Sequence, residues 1–153
     1  MNVNPIPEGM NMITPHLIVK NGDKAIEFYK RAFMAQEMHR MTMPGSKKIM
    51  HACIQIAGQN IFLCDEMKGA KAPKNGGTGM HLHLYVGDAD KVFYRAIEHG
   101  AKEVQPLENA FWGDRYGMIV DPFGHTWAIA THVEDVTPDE MMRRGEKMMA
   151  GVK

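Results

Sequence analysis

From Met80 to Val86 the run MHLHLYV sets His81, His83 and Tyr85 against Leu82, Leu84 and Val86. Successive side chains of an extended strand point to opposite faces, so this spacing predicts a strand with one mixed polar face and one aliphatic face. An earlier run behaves alike, with Leu17 and Val19 on one side and Thr14, His16 and Ile18 on the other. Each strand leads into helical spacing. Ile26, Tyr29, Ala32 and Phe33 follow the first, and Val92, Phe93, Ala96 and Ile97 follow the second. Asp23 and Asp90 favour the helix starts, by capping or through the dipole, and Gly100 can end the second helix.

The two stretches are copies of one another. HLIVKNGDK from His16 and HLYVGDADK from His83 share His, Leu, Val, Asp and Lys at matching positions without a gap. After the first helix come a turn MPGSKK, a strand MHACIQI, a turn AGQN and a strand IFLCD; the second copy answers with GDRYGMIV, DPFGHT and WAIATHV. One further strand precedes each hairpin, around Gln36 to Met41 and Glu103 to Pro106. The expected fold is therefore α+β, two βαβββ modules within one domain over residues 1–153. Module 1 covers about 10–66 and module 2 about 80–134, joined by a linker at 67–79. TPDE at 137–140 is a capping box with Pro138 at the first helical position, opening a C-terminal helix over about 137–149.

Parity assigns the faces. In MHACIQI the apolar set Met50, Ala52, Ile54 and Ile56 suits burial beneath a helix, leaving His51, Cys53 and Gln55 opposite. Trp127 has the opposite parity to Ala128 and is expected under a helix. If helices cover one side of a curved sheet, the uncovered side is concave, and a mixed polar and apolar lining suits a small-molecule cavity. The Gly-, Lys- and Ala-rich linker EMKGAKAPKNGGTG reads as a mobile connection, with a flap over a ligand as the alternative.

Composition narrows the classes. The 18 basic residues balance the 18 acidic ones without clustering, so nucleic acid is not an expected partner. No apolar run is long enough to span a bilayer, and the N-terminus lacks a leader pattern; the expectation is a cytoplasmic protein. Cys53 and Cys64 lie in apolar strands and suit buried free thiols better than partners of His51 or His81 in acid–base work. Fifteen methionines suggest adaptable core filling, or a methionine-lined pocket. Nucleophile elbow, P-loop and dinucleotide fingerprint are all missing, and GGTG at 76–79 has no strand-to-helix context.

The segment running from Val19 through DKAIEFYKRAF, with the hairpin DPFGHTW, resembles the vicinal oxygen chelate superfamily, which contains glyoxalase I, bleomycin-resistance proteins and extradiol dioxygenases. KIMHACIQI, HLYV, FWGDRYG, DPFGH and ATHVED together resemble its PhnB-like branch, part of which has been labelled demethylubiquinone methyltransferase-like. The resemblance runs from about Met12 to Met142. It implies two βαβββ units forming an incomplete barrel around a concave cavity, commonly in a homodimer. It implies no single reaction, because members include metal-dependent enzymes and binding proteins.

Metal-dependent relatives draw four ligands from the first and last strands of the two modules. By that resemblance the positions fall on Thr14, about Phe62, His81 and Ala128, of which only His81 is a competent ligand. No cofactor is therefore expected. A relocated divalent-metal site using His16, His51, His81 and His83 is the alternative. In FWGDRYG, Phe111, Trp112 and Tyr116 offer flat apolar surface and Arg115 a fork for an anion; alternatively Gly113 and Gly117 shape a bend, Asp114 and Arg115 pair or stay solvated, and the aromatics close the core.

The expectation is a PhnB-like protein binding a small aromatic or anionic molecule through Thr14, His16, His51, His81, His83, Trp112, Arg115 and Tyr116, without the usual metal. A metal-dependent lyase, isomerase or dioxygenase is the alternative reading. A structural or interaction module with a collapsed cavity is a third.

Overall fold

The computed structural model describes residues 3–74 and 77–151. Asn75 and Gly76, within the predicted linker and the GGTG run, lie outside the described residues. Two compact units emerge: Met1–Thr78 with Pro122–His125, and Gly79–Asp121 with Thr126–Lys153.

In the first unit β1 (His16–Val19) leads into α1 (Gly22–Phe33), followed by β2 (Gln36–Thr42), β3 (Ile49–Ile56) and β4 (Gln59–Asp65). The sheet order is β1-β4-β3-β2, with β1 parallel to β4 and the other pairs antiparallel. Asn21, rather than Asp23, caps α1: its side chain accepts from the Lys24 N–H, while Asp23 sits in the first turn where a negative charge complements the helix dipole. Leu17, Val19, Ala52, Ile54 and Leu63 are buried together with Ala25, Ile26 and Tyr29 of α1.

Met50 does not join that core. Met41 pairs with His51 but Thr42 with Ile49, so β3 carries one extra residue at Met50, a bulge that exposes Met50 and buries Ile49 instead. The methionines as a class depart from expectation: among the described residues none is buried, and Met12, Met34, Met38, Met41, Met142 and Met149 are largely exposed. Leucine, isoleucine, valine, alanine and aromatic side chains fill the core in their place.

The second unit repeats the plan with β5 (Leu82–Tyr85), α2 (Ala89–Glu98), β6 (Lys102–Asn109), β7 (Asp114–Val120) and β8 (Thr126–His132) in the order β5-β8-β7-β6. Asp88 caps α2, accepting from the Lys91 N–H, and Gly100 at φ 103° ends it. β6 extends through Pro106, which is tolerated because β6 is an edge strand. Corresponding hydrogen bonds tie each helix start to the last strand of its module: Gly22 N–H to Asp65 Oδ1 at 3.0 Å, and Ala89 N–H to Thr131 Oγ1 at 2.8 Å. Trp127 is buried on the helix-facing parity and donates to Asp121 Oδ2 at 2.9 Å.

The predicted linker opens with a tight turn in which Met67 and Ala70 exchange backbone hydrogen bonds at 3.0 Å, and Ala72 N–H reaches Glu66 Oε1 at 2.9 Å. Pro122–His125 of the DPFGHT turn cluster with the first unit, where the Phe123 ring lies 6.0 Å from that of Phe28 and His125 Nε2 lies 2.9 Å from the Ile18 carbonyl. α3 (Pro138–Ala150) begins at Thr137, whose hydroxyl accepts from the Glu140 N–H. It rests on its own unit: Arg144 binds Glu134 through two hydrogen bonds, and Gly145 faces the Phe111 ring. Among the described residues no helix is long and apolar enough to cross a membrane.

Candidate functional site

Strand register fixes which side chains share each sheet's uncovered face. In the first unit His16 stands opposite Phe62, Phe62 opposite Cys53, and Cys53 opposite His39, so these four share a face with Ile18, Cys64 and His51. The rings gather. His51 lies 5.7 Å from His16, 5.3 Å from His39 and 4.7 Å from Phe62, centroid to centroid. Burial first, and then repulsion from His39 and His16, pull the His51 imidazole below its ordinary pKa. Both thiols on this face are buried, and burial pushes them up, with Asp65 adding to the shift at Cys64, so neither is an activated nucleophile.

In the second unit His83 stands opposite Ala128 and Ala128 opposite Met118; Tyr85 stands opposite Ala130, and Ala130 opposite Tyr116. The other parity faces α2, since a Cβ on Gly117 would lie 2.8 Å from the Phe93 ring. Around His83, Tyr85 and Tyr116 the uncovered face collects Trp112, Asp114 and His132. The His83 ring is 4.6 Å from Tyr85 and 5.7 Å from Tyr116, and Trp112 meets Tyr116 edge-on at 5.1 Å.

Asp114 organises this group. It is 1% exposed and is not paired with Arg115; Tyr85 Oη and Trp112 Nε1 donate to its Oδ2 at 2.8 and 2.9 Å, and His132 Nδ1 lies 2.8 Å from its Oδ1. Desolvation raises its pKa, but the bonds from His132, Tyr85 and Trp112 outweigh that and hold the carboxyl below its ordinary value. His132 Nε2 also meets Asp135 at 2.8 Å, and the two carboxylates, Asp135 foremost, raise the imidazole pKa. The bond to Asp114 raises Tyr85, and burial raises Tyr116.

The eight residues expected in the site divide. His16 and His51 meet in the first unit, while His83, Trp112 and Tyr116 meet in the second. Thr14 and His81 each precede the first strand of their module. Arg115 lies on the helix-facing parity, where Asp90 of α2 binds it through two hydrogen bonds of 3.0 and 2.9 Å. Sequence reading missed His39, Asp114 and His132 as members of these groups. The signal for Asp114 and His132 was present in parity, because they alternate with Tyr116 and with Ala128 and Ala130; finding it required knowing that β7 begins at Asp114. His39 was obscured by the bulge in β2, where Met38 is the extra residue between Glu37 and His39.

The metal positions implied by the resemblance can be tested on donor chemistry. Phe62 and Ala128 occupy matching register positions, opposite His16 and His83, and neither side chain has a lone pair to offer. The residues present do not fit the usual site. Among the described residues, no group of three or more His, Cys, Asp or Glu side chains is arranged to hold a metal ion.

Comparison with known proteins agrees with this architecture. The chain is 42% identical over 135 residues to the uncharacterized protein Rv0887c of Mycobacterium tuberculosis, covering 84% of this chain and 79% of that one. The crystal structure of TioX from Micromonospora sp. ML1 superposes with a TM-score of 0.64 at 27% identity, covering 80% of this chain and 99% of that one. The PhnB protein from Bacillus cereus shares the fold, with a TM-score of 0.64 at 18% identity over 79% of this chain and 99% of its own. Residues 9–129 match the Glyoxalase/Bleomycin resistance protein/Dioxygenase superfamily. Two βαβββ modules, their internal repeat and this match together establish that the chain belongs to the glyoxalase/bleomycin resistance protein/dioxygenase superfamily.

Proposed function

We propose that this protein is a PhnB-like binder of a small planar molecule, taken on the uncovered sheet face around Asp114 without the superfamily's usual metal ion. One observation carries the reading: a buried carboxylate spends its acceptors on Tyr85, Trp112 and His132, and so holds aromatic side chains in fixed orientation on a face that α2 does not cover. Fixed rings bind flat ligands with little loss of side-chain freedom. The missing donors at Phe62 and Ala128 support the metal-free part, and the free thiols Cys53 and Cys64 are compatible with the reducing cytoplasm. The family resemblance supports assembly as a homodimer; sedimentation of the purified protein as a monomer would remove it.

Amide and indole NMR spectra recorded with a set of planar aromatic compounds test the binding site. Shifts concentrated at His83, Tyr85, Trp112 and Tyr116 are expected. Shifts at the His16–His51 face instead, or no saturable shifts, would contradict the assignment.

A metal-dependent lyase, isomerase or dioxygenase is the second reading; it requires His16, His39 and His51, whose rings gather on one face without being arranged to hold an ion, to converge on a metal. Equimolar iron, zinc or nickel in protein never exposed to a metal-affinity column, lost in His51→Ala, would establish it over the first.

A further inference from the structure

The ring cluster of the second unit has a charge as well as a shape. Trp112 and Tyr116 meet at an interplanar angle of 76° and form two walls of a corner, which His83 and Tyr85 continue. Aromatic faces carry the negative end of a quadrupole, so a corner of such rings attracts cations. Beneath it Asp114 is buried as a carboxylate, and Asp135 lies on the far side of His132. Two carboxylates against one imidazolium leave a net negative charge at this end of the face even when His132 is protonated.

Two arginines of this unit are already matched. Arg115 is paired with Asp90, and Arg144 with Glu134 and Glu140. The residue expected to receive an anion is therefore on the other side of the sheet. Tyr85 spends its proton on Asp114, which leaves its oxygen on this face as an acceptor only. Trp112 likewise spends its only donor, so neither residue has a donor left for an anion.

We infer that the ligand taken by the Asp114-centred face is an organic cation, a planar or aromatic body bearing an ammonium or alkylated-nitrogen centre that sits against Trp112, Tyr116 and Tyr85. This rests on the proposed function and specifies its ligand class. His83 forms the outer edge of the corner, and Asp114 is a positioning residue that holds the rings without touching the ligand.

The test uses three probes of similar size: benzyltrimethylammonium, benzyl alcohol and benzenesulfonate. Trp112 reports, because its half-buried indole can be reached from this face while Trp127 is 2% exposed. Binding is followed through the Trp112 Nε1–H resonance and by fluorescence quenching. Benzyltrimethylammonium is expected to bind about tenfold more tightly than either comparator. His83→Ala, at an exposed position, should weaken it severalfold with the amide spectrum otherwise unchanged. Equal binding of all three probes, or preference for the alcohol or the sulfonate, would overturn the cation assignment while leaving a small-molecule site in place. Failure of all three to perturb Trp112 would overturn both readings.

Discussion

Tyr85 Oη donates to Asp114 Oδ2 at 2.8 Å across 29 residues of sequence, joining the first strand of the second module to its third. Asp114→Ala removes the acceptor shared by Tyr85, Trp112 and His132. The expected loss is about 2–4 kcal/mol in urea unfolding, since hydrogen bonds to a charged group contribute about 1.5–3 kcal/mol each and are not additive. A loss below about 0.5 kcal/mol, the range of an ordinary surface change, would show the carboxylate to be dispensable.

The pKa values of His132 and His51 are shifted in opposite directions. Asp135 and Asp114 raise His132 above its unfolded value, so its contribution to stability is complete below about pH 6.5 and is lost as pH rises through the higher folded pKa. His51 is lowered by burial and by His39 and His16. The unfolded chain therefore takes up that proton first, and stability falls as pH drops through about 6.5. Histidine-ring NMR should show His132 titrating above free histidine and His51 below it, with Asp135→Asn bringing His132 down. The reverse order would refute the hydrogen-bond assignment.

Gly113 opens β7 at φ 102°, and a Cβ there would collide with the Glu134 carbonyl oxygen. Its own carbonyl accepts from the Val133 and Glu134 N–H groups at 2.9 and 3.0 Å. Gly113→Ala should cost about 2–4 kcal/mol by combining a left-handed φ with overpacking, and should broaden the Trp112 indole resonance. A wild-type melting temperature would show that the segment shifts freely.

Much of the fold was legible because a period of two and a period of three to four residues each occur twice in the chain. The helix-side parity of Leu17, Val19, Ile54 and Trp127 followed directly from alternation. Met50 did not, since a bulge changes parity within a strand and leaves no compositional mark beyond the neighbouring Ile49. The His16–His51 encounter was visible as a shared face, but its approach of 5.7 Å needed the β1–β4–β3 register. The aromatic neighbours of Arg115 suggest a fork for an anion, or else a pairing with Asp114; strand parity places it beside Asp90. Asp114 was hidden because its donors come from three separate strands or loops.

Trp127 and Asp121 form a buried pair of indole and carboxylate at 2.9 Å. Trp127→Phe leaves volume unfilled and removes a donor to a buried acceptor. Destabilisation of about 2–4 kcal/mol is expected from calorimetry or urea unfolding. A change under about 1 kcal/mol would mean that the site collapses around phenylalanine.

At the C-terminal helix, Arg144 holds Glu134 and Glu140. Ion pairs this open to solvent contribute little, so Arg144→Ala should barely change global stability. Hydrogen exchange should nevertheless accelerate along α3, which buries none of its residues. Unchanged protection there would show that Gly145 against Phe111 suffices to hold it.

The most direct measurement compares wild type with Asp114→Asn, which keeps the shape of the side chain but removes its charge, using the Trp112 Nε1–H resonance under titration with benzyltrimethylammonium. Saturable shifts in wild type, weakened by about tenfold or more in Asp114→Asn while the amide spectrum of the first unit stays unchanged, are predicted. Equal affinity in the two proteins would contradict the claim that Asp114 holds and charges the face on which the ligand sits.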